Sequence, residues 1–402
     1  MWLYALTLAA FAVQTDDFII VGVLPEISAD LGVPETAAGQ LVTVYSLIYA
    51  LTAPLWALLL SRISRRAALP VALGVFGAAN FAVLLVDGFA ALMALRVVAA
   101  LAAAVVLPAA LAAANAAAPE GRRGRYLATV MTGLTGAILL GVPAGTWIGA
   151  AAGWRATFVF AGALGLVALV LVMTTVPDTA TGPAAGAGEP GRARDLVRPL
   201  LNGTVSLILV ATVLTVAGNL AFQTYLAPYL TDLAGVTPRV LAVLLVCSGA
   251  GGILGTQLAG RLVDRYTPLR ALIIAGSVFC AAMLALVPLW ASRPVPVWLV
   301  AVVLTVWSAS AWAVPPSIQA LMLVRVGDRA ASQAMAVHSS SAYVGAALGG
   351  ALGGAAVAVE PGIIPVAAAV LVALGLGASI QAARSPARAA PGPAAQEESR
   401  CV

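Results

Sequence analysis

The sequence predicts an all-α membrane protein of about twelve transmembrane helices in two six-helix bundles, and three observations predict it. Hydrophobic residues make up 62% of the chain and charged residues 9%, against about 45–50% and about 25% in soluble domains. Too few charges remain to cover a water-facing surface. Apolar runs of about 20 residues, the length that crosses the hydrocarbon of a bilayer, follow one another along almost the whole chain. A basic loop that follows the second run also recurs after the eighth, the mark of a parallel repeat.

Reading apolar runs between polar punctuation places six helices near residues 2–24, 38–60, 68–86, 89–117, 126–150 and 156–176. Six more fall near 202–228, 238–260, 269–290, 296–323, 331–357 and 362–383. The first run opens at Trp2 without a basic leader and meets Pro25 where a signal peptide would carry small residues, so it reads as a retained helix. The predicted organisation is an N-terminal bundle over 1–176, a Gly/Ala/Pro-rich linker over 177–201, a C-terminal bundle over 202–384 and a disordered tail over 385–402.

The basic residues orient this array. All 21 are arginine. With the N-terminus in the cytoplasm, only Arg155, Arg239 and Arg293 fall on the outer side and Arg96 lies inside a helix, while all the others sit in inner loops and the tail. The positive-inside rule therefore puts both termini in the cytoplasm. That scatter over short loops also disposes of a nucleic-acid footprint, in spite of a pI near 9.4. Cys247, Cys280 and Cys401 lack metal-ligand or redox spacing. Asn202-Gly203-Thr204 has the form of a glycosylation acceptor but falls on the cytoplasmic side.

The eighth helix runs into Gly260-Arg261-Leu262-Val263-Asp264-Arg265, and the second into Ala57-Leu58-Leu59-Leu60-Ser61-Arg62-Ile63-Ser64-Arg65-Arg66. Both segments resemble the loop signature of the major facilitator superfamily, Gly-x-Leu-x-Asp-Arg-x-Gly-Arg-Arg. The second copy keeps Gly260, Asp264 and Arg265, to which the resemblance assigns a cytoplasmic gate. The first copy departs at Ala57, Ser61 and Ser64, so its arginines stand equally well as topology determinants. Thr15-Asp16-Asp17-Phe18, Gly141-Val142-Pro143-Ala144-Gly145, Gly153-Trp154-Arg155 and Tyr225-Leu226-Ala227-Pro228 are similar to segments of the twelve-helix drug:proton antiporter branch, and within it to chloramphenicol-type and arabinose-type efflux permeases.

An ionised carboxylate at a helix centre costs about 2.5–3.5 kcal/mol on insertion scales, so Asp16 and Asp17 are functional candidates. Counted from Pro25 at 1.5 Å per residue they lie roughly 12–14 Å below the outer surface. Arg96, about nine residues into the fourth helix, reaches the same depth, and pairing would offset part of the burial cost. Burial favours the protonated carboxyl and a nearby guanidinium favours the carboxylate, so a change of packing between two states can take up and release a proton. A proton crossing a potential of 100 mV releases about 2.3 kcal/mol. The resemblance gives such roles to an acid in the first helix and an arginine in the fourth, and either Asp16 or Asp17 matches the acidic position.

Gly141, Pro143 and Gly145 in the fifth helix resemble the antiporter signature of exporters, shortened after the proline, and favour export over uptake. Read as spacing alone, they make a close-packing face, which Gly345, Gly349, Gly350, Gly353 and Gly354 repeat in the eleventh helix. Tyr45 and Tyr49, one turn apart, join Asn219, Gln223, Trp312 beside a Pro315-Pro316 break, His338 and Tyr343 as candidate cavity residues. So few charges favour lipophilic neutral or zwitterionic substrates. One histidine and scattered serines supply no catalytic or metal cluster, and a phosphate loop is impossible without lysine. The expectation is a multi-pass protein of a bacterial inner membrane. It acts as a monomer on a small molecule within the lipid bilayer, with the proton as coupling ion, no other cofactor and no nucleic acid. Its task is export of drug-like molecules, or else transport of a sugar or metabolite by the same fold.

Overall fold

A computed structural model of the chain describes residues 1–59, 65–119, 122–176, 202–326 and 331–384. Among them are twelve helices long and apolar enough to cross a membrane. The first six are Trp2–Leu31, Glu35–Leu59, Arg65–Ala82, Phe89–Ala117, a composite fifth and Trp154–Thr175. The fifth joins Arg123–Gly136 to Val142–Ala152 through a π-helical turn, Ala137–Gly141. The seventh, Gly203–Thr224, is followed after Tyr225 by a short helix, Leu226–Ala234. Then come Pro238–Arg265, Pro268–Ala291, Val297–Val326, Ala331–Val359 and Ile364–Arg384. An even number of crossings brings both ends of the array to one side.

The boundaries follow local chemistry. Thr237 and Thr267 accept hydrogen bonds from the amides of Val240 and Arg270, each with a proline in the first turn, where its missing N–H costs nothing. Asn202 caps the seventh helix by accepting from the Thr204 amide, 3.1 Å away. Gly32 closes the first helix in the left-handed conformation, φ 62°, which only glycine adopts without strain.

Prolines changed several expected ends. The first helix does not stop at Pro25 but runs on to Leu31, so Asp16 and Asp17 lie farther from its end than the sequence suggested. The Pro315-Pro316 pair does not break the tenth helix either. Pro316 cannot donate to the Trp312 carbonyl one turn back, and the Thr256 hydroxyl of the eighth helix donates to it instead, at 3.3 Å. A borrowed donor of this kind lets a proline stay inside a membrane helix. The seventh helix, expected to run to 228, bends at Tyr225. The first copy of the loop signature from Leu60 to Ser64, the linker 177–201 and the tail 385–402 lie outside the described residues.

Helix packing repeats when six is added to each number. The first helix packs on the fifth and sixth, and the seventh on the eleventh and twelfth. The third packs on the fourth and sixth, and the ninth on the tenth and twelfth. Second on fourth becomes eighth on tenth. Between the halves, second on eleventh becomes eighth on fifth. The apolar core distinguishes the two ends. On the side of Gly32 and Gly235 one cluster joins both halves, from Ile20, Leu24 and Leu41 to Tyr229, Leu244 and Phe279. On the side of the termini two clusters stay separate, one around Leu6, Leu73 and Ala103 and the other around Ile208, Ile318 and Met322.

Candidate functional site

Asp16 and Arg96 meet in the core of the first half. An Arg96 terminal nitrogen lies 2.8 Å from Asp16 Oδ2 and its twin 3.2 Å from the Asp16 carbonyl, with side chains 1% and 0% exposed. The guanidinium lies over the Tyr45 ring at 4.3 Å and near the Phe158 ring at 5.5 Å. Aromatic faces attract a desolvated cation and supply part of the solvation that burial removes. Asn80 of the third helix stands beside Asp16. Asp16 Oδ1 and Arg96 Nε have no hydrogen-bond partner among the described residues. The expected pairing at one depth is present, and its aspartate is Asp16.

Asp17, the next residue, turns the other way. It lines a chamber of about 270 Å³ together with Gln14, Asn219, Trp312, Gln319 and Tyr343. A larger chamber, about 590 Å³, is walled by Tyr49, Thr212, Gln319, His338, Ser339 and Tyr343 among apolar residues. Three helices give their order. The second contributes Ser46 to the smaller chamber and Ala53 to the larger, the fifth Ile138 and then Met131, and the eleventh Ala346 and then His338. The smaller chamber is therefore the deeper, and the larger is a vestibule toward the termini. Among the described residues that wall the two chambers, Asp17 is the one that is formally charged. A solute here meets aromatic faces, amides and hydroxyls, with one carboxyl at the deep end.

The remaining candidates divide. Tyr49 and Tyr343 stack with centroids 3.8 Å apart, and His338 Nδ1 lies 3.1 Å from the Thr212 hydroxyl. Asn219 donates to Gln223 at 3.1 Å, but Gln223 itself faces a narrow apolar gap beside Phe18, Trp307 and Trp312. Tyr45 is no wall residue. It is fully buried, because its ring face is taken up by Arg96. Gly260, Asp264 and Arg265 lie exposed at the end of the eighth helix, away from the chambers. Arg265 sits over the Tyr266 ring at 5.6 Å.

Gly141 and Gly145 press against the first helix, where an added Cβ would overlap Thr15 and Ile19. The π turn preceding Pro143 rests on Gly249 of the eighth helix, where a Cβ would come within 2.7 Å of Leu139 Cα. The same glycine face therefore serves one contact inside a half, and its neighbouring turn serves one between halves. Sequence reasoning missed Asn80, Gln14 and Gln319. Each is an uncharged polar residue in an apolar run, and Gln14 stands one turn before Asp17 on the same face of the first helix.

Comparison with known proteins gives a consistent result. The family model described as Major Facilitator Superfamily matches residues 6–350. A chloramphenicol resistance protein of Streptomyces lividans is 37% identical over 293 residues, covering 73% of this chain and 74% of the relative. The inner membrane transport protein YdhP of Escherichia coli K12 is 30% identical over 378 residues, covering 93% and 94%. Among solved structures, an inward-facing, unoccupied bacterial homologue of the human lysosomal transporter Spinster superposes with a TM-score of 0.76 at 18% identity, covering 95% and 96%.

Proposed function

Because the chain belongs to the major facilitator superfamily, and so is a multi-pass secondary transporter of small molecules, we propose that it exports lipophilic drug-like compounds from a bacterial cell in exchange for protons. The observation that carries this reading is the division of labour between neighbouring carboxyls. Asp16 is locked to Arg96 inside the first half, while Asp17 faces the solute chamber. A fixed ion pair beside a second carboxyl that opens onto the deep end of the cavity suits a site where proton and solute compete. The walls are mostly apolar and aromatic, which suits compounds that partition into lipid, and the 37% identical chloramphenicol resistance protein supports the drug-export side.

In this reading the termini are cytoplasmic, as the arginine distribution argues, and the state described is open toward the cytoplasm. The joined core on the far side and the separate clusters on the terminal side support that assignment. Asp264 and Arg265, exposed and without an ion pair among the described residues, then belong to a cytoplasmic lock in its released form. The proton is the coupling ion, and the membrane is the bacterial inner membrane.

The test is expression in an efflux-deficient bacterium against a panel of antibiotics and sugars, scored for resistance and for intracellular accumulation. Export predicts lowered accumulation of at least one lipophilic compound, abolished by Asp17→Asn and by Arg96→Ala with membrane insertion intact. Normal proton-linked efflux in both variants would remove the coupling model. Raised accumulation of a sugar or other compound would replace export by uptake.

A further inference from the structure

The deep chamber and the vestibule meet at one tyrosine. Leu134, Val216, Pro315, Gln319, Ala342 and Tyr343 line both spaces, and of these six only Tyr343 is aromatic. Its ring lies flat on Tyr49, with the planes 21° apart. Tyr49 comes from the second helix and Tyr343 from the eleventh, so the stack spans the contact between the two halves. Tyr343 shares the wall of the deep chamber with Asp17, and its hydroxyl is near enough to the Asp17 carboxyl and the Tyr49 hydroxyl to interact with each. Asp17 belongs to the deep chamber alone and Tyr49 to the vestibule alone. One side chain thus stands beside the titratable group on one side and stacks on an aromatic partner on the other.

We propose that Tyr343 is a positioning residue whose ring, stacked on Tyr49, shuts the passage between the chambers while the Asp17 carboxylate holds its hydroxyl. The inference rests on the transporter reading only in taking the two chambers as the path of the solute. A carboxylate accepts a charge-assisted hydrogen bond about twice as strong as a neutral one. When Asp17 takes up a proton the hold on the hydroxyl weakens and the ring is free to leave the passage. Proton uptake opens the deep chamber to the vestibule, and proton loss closes it. The other groups facing Asp17 are Arg96 from the fourth helix, Asp16 beside it, and the phenols of Tyr45 and Tyr49 from the second. None of these four lines both chambers.

The experiment needs no substrate. In the full chain in lipid nanodiscs, with Cys247, Cys280 and Cys401 replaced by serine, Ser46→Cys reports on the deep chamber and Ser339→Cys on the vestibule. The probe is methyl methanethiosulfonate, small and uncharged, and the readout is the ratio of the two labelling rates, which cancels thiol ionisation common to both sites. The ratio rises about tenfold from pH 8 to pH 5.5 in the parent, the scale set by exchanging a charge-assisted for a neutral hydrogen bond. It is flat with pH in Tyr343→Phe, which keeps the ring and loses the hydroxyl, and flat in Asp17→Asn. It is high at every pH in Tyr343→Ala and in Tyr49→Ala, each of which removes one ring of the stack. A parent ratio independent of pH, or a Tyr343→Phe ratio that titrates like the parent, overturns the proposal. A titrating ratio together with no transport of any solute would instead overturn the functional reading and leave this one standing.

Discussion

Breaking the Asp16–Arg96 pair from its two ends has unequal consequences. In Asp16→Asn the guanidinium stays charged at any accessible pH, 1% exposed, with the residue-16 carbonyl, the rings of Tyr45 and Phe158 and the neighbouring Asp17 as its remaining support. Leaving one member of a buried pair uncompensated costs about 3–5 kcal/mol, and the rings return about 2 kcal/mol at most in a desolvated site. The net loss is therefore about 1–3 kcal/mol. In Arg96→Leu the aspartate can neutralise itself by taking a proton, so the loss is smaller at pH 5 and grows toward pH 8. The double variant removes both charges of the pair, and its stability approaches the parent's or exceeds that of either single variant. Equilibrium unfolding in mixed micelles with sodium dodecyl sulfate, followed by the fluorescence of the eight tryptophans, measures all four corners of this cycle. Additive losses in the double variant would refute the claim that the two groups interact in the folded chain. A pH-independent loss in Arg96→Leu would refute the protonation argument.

Three further perturbations follow from the packing. Gly141→Ala drives a methyl into Thr15 and lowers stability by about 1–3 kcal/mol; adding Thr15→Ala returns part of that loss, measured by the same unfolding. Thr256→Val removes the donor that covers the Trp312 carbonyl and costs about 1–3 kcal/mol for an unsatisfied buried group, whereas Thr256→Ser keeps the hydroxyl and costs little. Tyr45→Leu removes the ring beneath Arg96 but touches neither chamber. It lowers stability by about 0.5–2 kcal/mol and leaves the solute range of transport unchanged in the antibiotic panel.

The spans were legible because hydrophobicity and length decide them. The pairing of a first-helix aspartate with Arg96 was legible from depth alone. Which aspartate was not, since Asp16 and Asp17 differ by about 100° around the helix and only the neighbours decide which way each points. Proline misled twice. Pro25 read as a helix end and Pro315-Pro316 as a break within the tenth helix, yet both sites stay helical, and at the second the donor Thr256 comes from another helix, invisible to a local pattern. Tyr45 and Tyr49 share a spacing that puts them on one face, yet the fourth helix takes one ring and the eleventh the other. No sequence rule reports that partition. Asn80 was within reach of the rule that flags polar residues in membrane helices, and it was passed over because a neutral amide gives a weaker signal than a carboxylate.

Glycine placement packs each half tightly within itself. Within the first half, Gly133, Gly141, Gly145 and Gly149 meet the first helix at Thr7, Thr15, Ile19 and Val23, a constant offset along two helices running side by side. Within the second half, Gly345, Gly349 and Gly353 meet the carbonyls of Val213, Ala217 and Ala221 in the same way. Backbones this close leave no room for a side chain to slip and resist sliding within each half. Between the halves, Gly249 against the π turn and Gly350 and Gly354 against Thr43 and Gln40 sit on the two helix pairs that the sixfold shift exchanges, while Gly39 meets Tyr225 at the bend of the seventh helix. A rigid-body rocking about two symmetric lines needs bundles stiff inside and smooth where they meet. Side chains too large for those two lines should therefore slow interconversion before they unfold the protein. Gly249→Leu is the sharp case: a labelling ratio between the two chambers that still titrates, with transport lost, would show that the partition at Tyr343 works inside one state and that the π turn on Gly249 governs the exchange between states.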